Sequence, residues 1–338
     1  VDYHDVNTGA WLRFFEEMGT CSVMNVTLQG GEPFMREDLP ELIAGIVRNR
    51  MRFSILSNGG LITDDAARFI ADTGRCDSVQ ISVDGSCPDV HDTLRGKGAF
   101  EGAMRGIDIL RGRGAHVSVR VTIHRQNYQD LENIARLLID DLGLDGFSTN
   151  SAIPLGSCRL KSDAVLLDPE AHHTAMETLL KLWHRYDGKI SASAGPLALA
   201  WRWHQMETAR LQGAQPFSDG GYLTGCGCTA QKLAVRADGT LIPCTMLPDM
   251  ALGRINQDRL ADVWRESPIL NRLRTRHQVP LEKFEFCAGC PYIPYCTGNC
   301  PGAAASLTGQ DGHPSPDACL RNFLMKGGRL PDPCLYPA

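Results

Sequence analysis

Apolar residues recur at helical spacing in TGAWLRFFEEMG (8–19), with Thr8 placed to cap the helix, and a short apolar strand, MNVTLQ, follows. The same alternation then continues down the chain. EDLPELIAGIVRN puts Leu39, Leu42, Ile43 and Ile46 on one helical face, and RFSILS reads as a strand. TDDAARFIADTG is a helix with Thr63 as N-cap, and SVQISV is a strand. AFEGAMRGIDILRGRG is a helix that ends in glycine, and HVSVRVTI is a strand. QDLENIARLLIDDLG is a helix and DGFSTN a strand. The five strands, at about 24–29, 52–57, 78–83, 116–123 and 145–150, are steadily spaced, as βα units on a parallel sheet are. The first element is a helix. A parallel α/β sheet that opens this way is expected to lack its first strand in this numbering, either because a segment precedes Val1 or because the chain was cut there.

Residues 168–210 read as helical, in PEAHHTAMETLLKLWHRY and PLALAWRWHQMETARL, and form an expected connector. His172, His173, His184 and His204 lie on these helices and read as surface or hydrogen-bonded histidines rather than ligands. Beyond 228 the alternation stops. A hairpin, KLAVRADGTLIPC, turns at Asp238–Gly239, and two short helices and loops dense in Cys, Gly and Pro follow. The expected division is a sheet domain over 1–165, a connector over 166–222, a cysteine-rich domain over 223–325 and a tail over 326–338. No internal repeat and no low-complexity tract is visible.

Composition narrows the class. The 338 residues are 43% hydrophobic and 22% charged, an ordinary globular balance. The net charge of −5 leaves no basic footprint, so no nucleic-acid partner is expected. No apolar run is long enough to span a bilayer, and VDYHDVNTGAW has neither a basic n-region nor an apolar h-region. The chemistry lies in thirteen cysteines. Cys21, Cys76, Cys87 and Cys158 are scattered through the first half and Cys334 is in the tail, but eight fall between 226 and 319. A secreted disulfide protein is short and cysteine-rich throughout, so clustering in a chain of this size points to metal.

The spacing is Cys226-x-Cys228, then Cys244, then Cys287-x2-Cys290-x5-Cys296-x3-Cys300, and finally Cys319. Eight thiolates make two sets of four. Short spacings let thiolates converge from several turns, as tetrahedral iron ligation requires. Pro291, Pro294, Gly298, Pro301 and Gly302 permit the turns. Two four-cysteine zinc sites are the alternative. The block resembles the SPASM domain of radical S-adenosylmethionine (SAM) enzymes, through Gly239-x4-Cys244, the 287–300 run and Cys319. That resemblance implies a first auxiliary 4Fe-4S cluster on Cys226 and/or Cys228, Cys244 and Cys300. It implies a second on Cys287, Cys290, Cys296 and Cys319.

The sheet half carries matching motifs. Gly30-Gly31-Glu32-Pro33 follows the first strand, where α/β folds bind ligands. Two glycines allow close backbone approach, and a glutamate can accept from an ammonium group. A tight turn before a helix explains GGEP about as well by itself, but in context it resembles the radical SAM motif that holds the methionyl amine of the cofactor. Asn58 in Ser57-Asn58-Gly59, Ser82 and Asp84 in Ser82-Val83-Asp84-Gly85, and Arg120 and Thr122 on the fourth strand sit at or near strand ends. In that family such positions contact the ribose, carboxylate or amine. His91, Asp92 and Arg95 follow the third of these strands and read as a solvated loop that could touch substrate. The resemblance implies an α/β fold: a partial (β/α)6 barrel, followed by a small, irregular, cysteine-rich α+β domain.

The absent first strand would lead into the Cys-x3-Cys-x2-Cys loop of the catalytic cluster, and no such triplet occurs in these residues. With that loop upstream, the resemblance implies reductive cleavage of SAM and hydrogen-atom abstraction by a 5′-deoxyadenosyl radical. The substrate expected is a peptide or protein, and the reductant a flavodoxin or ferredoxin. The expected home is a reducing cytoplasm in an anaerobic or microaerobic cell. A tetrapyrrole-modifying enzyme of the haem pathway is the runner-up. A non-catalytic cluster-binding relative, favoured only by the missing triplet, is the third reading.

Overall fold

The computed structural model describes residues 5–337. The chain divides into two compact units. The first takes the chain up to Asn150, together with 182–192 and 255–261. Its helix α1 (Thr8–Thr20) leads into strand β1 (Asn25–Leu28), then α2 (Leu39–Arg48), β2 (Arg52–Ser57), α3 (Asp64–Asp72) and β3 (Cys76–Ser82). Two helices, α4 (Pro88–Arg95) and α5 (Ala99–Gly112), precede β4 (Val117–Ile123). Helix α6 (Leu131–Ala135) runs on as a π-helical stretch, Arg136–Asp141, before β5 (Phe147–Ser151).

All five expected strands are present, and a sixth joins them. The strand order is the chain order, β1 to β6, with β6 at Ile190–Ala192. β1–β2, β2–β3, β3–β4 and β5–β6 pair in parallel. Such an order requires a helical crossover after each strand on one side, which is how a sheet curls toward a barrel. β6 lies inside 166–222, which the sequence reading took as wholly helical. It is three residues long and has no apolar run to announce it.

Each helix buries the face that its spacing predicts. Leu39, Leu42, Ile43 and Ile46 of α2 are all 5% exposed or less, and Ile107 and Leu110 of α5 are fully buried. Thr63 caps α3, accepting from Ala66 N at 3.2 Å. The cap of α1 is Asn7 rather than Thr8: Asn7 Oδ1 accepts from Ala10 N at 2.9 Å, while the Thr8 hydroxyl donates to Asp38 at 2.7 Å. Segment 255–261 is pinned to α1, with Asn256 donating to Ala10 O at 2.9 Å and Leu260 N to Glu17 at 2.7 Å.

The second unit takes 151–181, 193–254 and 262–338, so the expected boundary at 165 differs from the fold. Its helices include α7 (Ser162–Val165), the first turns of α8 (Pro169–Arg185), and α9 (Pro196–Leu211). A small antiparallel sheet follows, of β7 (Ala234–Val235), β8 (Thr240–Ile242) and β9 (Gly253–Arg254). The β7–β8 turn falls at Asp238–Gly239, as the sequence predicts, with Gly239 at φ 84°. Helices α10 (Leu260–Glu266), which begins in the first unit, α11 (Pro268–Arg274), α12 (Pro301–Thr308) and α13 (Leu320–Met325) complete the second unit, with a run of short 3₁₀ turns between α11 and α12. Trp203 is 1% exposed and packs 4.7 Å from the Phe323 ring, with His172 against both. His204 stacks on Tyr336 at 3.7 Å, and His173 bonds Arg329 O at 2.9 Å. Among the described residues no helix is long and apolar enough to cross a membrane.

Candidate functional site

Strand alternation gives the sheet two unlike faces. Phe53, Ile55, Val79, Ile81, Val119, Val121 and Ile123 are at most 1% exposed, on the face that α2 and α5 cover. The opposite face is half-open and polar, with Ser82 paired in register with Arg120, then Thr122, Ser148 and Asn150. Arg120 Nε donates to Ser148 Oγ at 3.3 Å. Asn150 Oδ1 is buried and accepts nothing. A buried amide oxygen without a donor is costly. Asn150 shares this face, and the sequence reading did not single it out, although its period-two step from Ser148 was the available signal.

Gly30 and Gly31 lie exposed at the end of β1, and an added Cβ would meet nothing within 4 Å of either. Glu32 beside them is 8% exposed. Its Oε1 accepts from Ser57 Oγ at 2.8 Å and Phe34 N at 3.2 Å, and its Oε2 accepts from Asn58 N at 2.7 Å. These bonds tie the β1 loop to the end of β2. Three of a carboxylate's roughly four acceptor positions are filled, which leaves one for a ligand donor. Pro33 is buried and opens a single 3₁₀ turn. Asn58 is exposed, with its Oδ1 held by Gly60 N at 2.8 Å.

Asp84, expected among the cofactor contacts, makes its hydrogen bonds within the protein. It is 1% exposed, and both oxygens are engaged within the protein. Oδ1 accepts from Thr122 N at 2.7 Å, and Oδ2 from Arg95 Nε at 2.5 Å. Buried and bonded through both oxygens, this carboxylate braces the end of β3 against β4 and α4. Thr122 therefore holds Asp84 through its backbone, while its side chain stays on the half-open face. His91, Asp92 and Arg95 are not a solvated loop but part of α4, a helix that the sequence reading missed. His91 is 1% exposed, and its Nδ1 accepts from Asp84 N at 3.0 Å. Burial holds the His91 and His124 imidazoles below their usual pKa, so both are neutral near pH 7. Asp92 accepts from Gly98 N at 2.6 Å and Phe100 N at 2.8 Å, which fixes the start of α5. Gly85 is glycine for a steric reason: a Cβ there would lie 2.4 Å from His91 N. Asn127, fully buried, locks the assembly through its amide to Asp84 O and Thr122 O at 2.8 and 2.9 Å.

In the second unit the eight cysteines gather as two groups. Cys228 is 1% exposed, and its thiol is in hydrogen-bond contact with both Cys226 and Cys244. That contact pulls the Cys226 and Cys244 thiols down toward thiolate, and Cys228, between two such neighbours, is held up. Cys300 lies within electrostatic reach of Cys226 and Cys244 and starts α12, whose first amides face its sulfur. Both Cys226 and Cys228 thus enter the first group.

Cys287, Cys290, Cys296 and Cys319 line one small cavity together with Leu281, Phe286, Ile293 and the Arg321 side chain, and no carboxylate lines it. Burial first, then Cys296, Cys319 and Cys290, push the Cys287 thiol up to about 12. Gly298 N donates to Cys296 Sγ and Asn322 N to Cys319 Sγ, each at 3.4 Å. Gly298 has φ 64°, and a Cβ on it would come within 2.6 Å of Leu223. Grouped thiols that repel one another need a strongly cationic centre to ionise together. Among the described residues no three Cys, His, Asp or Glu side chains close on a single ion.

The comparisons with known proteins agree with this geometry. Residues 8–138 match the Radical SAM superfamily, and residues 226–291 match SPASM, an iron–sulfur cluster-binding domain. A PqqA peptide cyclase of Ruegeria pomeroyi is 26% identical over 330 residues, which are 94% of this chain and 80% of that protein. An AdoMet-dependent heme synthase of Nitratidesulfovibrio vulgaris is 27% identical over 292 residues, 84% of this chain and 76% of that one. Among solved structures, native anSMEcpe with bound AdoMet matches with a TM-score of 0.68 at 16% identity, over 97% of this chain and 90% of that one. Streptococcus suis SuiB bound to precursor peptide SuiA matches with a TM-score of 0.69 at 14% identity, over 95% and 70%. At such identities the two structures bear on the fold alone. The chain belongs to the radical SAM superfamily and carries a SPASM domain. It is a radical SAM enzyme whose cofactors are 4Fe-4S clusters and S-adenosylmethionine.

Proposed function

We propose that this enzyme is a maturase that abstracts hydrogen from a peptide or protein substrate, with two auxiliary 4Fe-4S clusters in its SPASM domain. The observation that carries the reading is the likeness to a peptide cyclase across 94% of the chain. Cys226, Cys228, Cys244 and Cys300 hold the first auxiliary cluster in this reading, and Cys287, Cys290, Cys296 and Cys319 the second. Gly30, Gly31, Glu32, Asn58, Ser82, Arg120 and Thr122 surround SAM, and Asn150 offers its unmatched acceptor. When bound, SAM and its cluster supply one-electron cleavage chemistry and a radical that takes a hydrogen atom. Glu32 fixes the glycine loop, and the Arg120 guanidinium presents a cation beside Ser82 for a carboxylate. A flavodoxin or ferredoxin supplies the electron, and the home is a reducing cytoplasm.

The heme synthase relatives, at 27% identity, keep a tetrapyrrole substrate as a second reading. The deciding experiment uses the full-length protein, reconstituted without oxygen and supplied with SAM and a reductant. Formation of 5′-deoxyadenosine is followed with candidate precursor peptides and with iron porphyrins. Turnover with a peptide that loses hydrogen by mass spectrometry supports the maturase. Turnover with the porphyrin alone would establish the second reading instead.

A further inference from the structure

Arg276 lies in the turn after α11 and is 4% exposed. Its guanidinium donates to four backbone carbonyls. Nη1 reaches Thr224 O at 2.9 Å and Asn299 O at 3.2 Å, Nε reaches Asp311 O at 3.1 Å, and Nη2 reaches His313 O at 3.1 Å. None of these acceptors is a carboxylate. The nearby Asp311 carboxylate bonds instead to Arg272, at 2.5 Å. A buried cation is costly unless an anion faces it.

The four acceptors show where that anion belongs. Thr224 stands two residues before Cys226, and Asn299 immediately precedes Cys300. These two loops are also joined directly, Thr224 N to Thr297 O at 2.6 Å. Arg276 thus clamps the Cys226/Cys228 loop to the Cys300 loop, two of the three cysteine-bearing segments of the first group, and sets a full positive charge beside them. Cys300, then the Asp311 carboxylate, then Cys226 and Cys228 act on that charge, partly offsetting the effect of its burial. The second group is held by single contacts: Arg321, which lines its cavity, bonds Ala288 O at 2.7 Å, and Arg202 bonds Tyr295 O, next to Cys296, at 3.0 Å.

We infer that Arg276 is a positioning residue for the first auxiliary cluster, holding its Cys226/Cys228 and Cys300 loops together and raising its reduction potential through the guanidinium charge. The inference rests on the assignment of Cys226, Cys228, Cys244 and Cys300 to one cluster. Charge and hydrogen bonding near a cluster set its potential. Removing the cation therefore makes the reduced cluster harder to form, and removing the fork loosens the loops.

The test uses the full chain, reconstituted anaerobically, as wild type, Arg276→Lys, Arg276→Gln and Cys244→Ser. Iron release to a chelator and electron paramagnetic resonance titration are the readouts. Both Arg276 variants are expected to lose the first site's iron at least tenfold faster, with the second site unchanged. Arg276→Gln is expected to shift the reduced-to-oxidised ratio of the first cluster at least tenfold below that of Arg276→Lys, equivalent to 59 mV for one electron. Equal potentials in the two variants, wild-type release rates, or equal loosening of both sites would overturn the inference. Where Arg276→Gln holds no cluster at all, the release rate of Arg276→Lys decides alone. Cys244→Ser checks the underlying assignment separately: if it loses no iron, the ligand set is wrong, whatever Arg276 does.

Discussion

Replacing Asp84 by Asn or Ala tests whether this residue is a brace. Asn keeps an acceptor for Thr122 N but turns an amide against Arg95, and Ala removes both bonds. Loss of one partner from a buried ion pair costs about 3–5 kcal/mol, and loss of a single hydrogen bond about 1 kcal/mol. Arg95 keeps a quarter of its side chain in water, 26% against 1% for Asp84, so its stranded charge is partly hydrated. We therefore expect about 2 kcal/mol for Asp84→Asn and about 3 kcal/mol for Asp84→Ala. At about 1.36 kcal/mol per decade, these are roughly 30-fold and 150-fold losses of amide protection. The assay is native-state hydrogen exchange by mass spectrometry on peptides covering 88–95 and 117–123. A double-mutant cycle with Arg95→Met separates the pair from its surroundings, since residues in contact couple by about 0.5–3 kcal/mol. Unchanged protection in 117–123, or strict additivity of Asp84→Asn and Arg95→Met, would refute the brace.

Glu32→Gln strands one of three donors, so S-adenosylmethionine binding should weaken about tenfold with a stability loss near 1 kcal/mol, read by calorimetry and by thermal melting. Gly298→Ala forces a left-handed residue costing about 1–2 kcal/mol and presses on Leu223. The iron bound by Cys287, Cys290, Cys296 and Cys319 should then leave faster, measured by chelator capture. Burial holds His172 down to about 4, below the roughly 6.5 of an unfolded histidine. The folded state therefore resists a proton that the unfolded state takes up. Stability is full above about 6.5 and falls as the pH drops toward 4, by about 2 kcal/mol at pH 5. His172→Phe should flatten that slope between pH 7.5 and pH 5 in urea titrations, and an unaltered slope would exclude His172 as its source.

The sheet was legible because its strands are rich in Val and Ile and its helices carry a clean 3.6-residue stripe. β6 was hidden because Ile190–Ala192 offers one buried apolar residue, and α4 because DVHDTLR follows a Ser-Cys-Pro turn signal. Cysteine spacing divided the thiols into sets, but not the opening pair, since Cys226 and Cys228 differ only in burial and contact. The orientation of Asp84 could not be read either. Its neighbours Thr122 and Arg95 are distant in sequence, and nothing local distinguishes a buried carboxylate from one that faces a ligand. Arg276 was invisible for the same reason, because its four acceptors are backbone atoms from three separate loops.

The route of the chain also carries a consequence for synthesis. Strand β6 and the segment pinned to α1 emerge from the ribosome well after β5, separated from it by stretches that belong to the other unit. The first unit cannot finish its sheet until about forty residues beyond β5 have been made, nor secure α1 until residue 261. Neither unit is therefore a contiguous cassette. A fragment ending at 165 would leave β5 as an unpaired edge, open to association with another copy. Domain exchange between relatives of this enzyme has to move interleaved segments together, which favours loop replacement over module swapping as a way to redirect it.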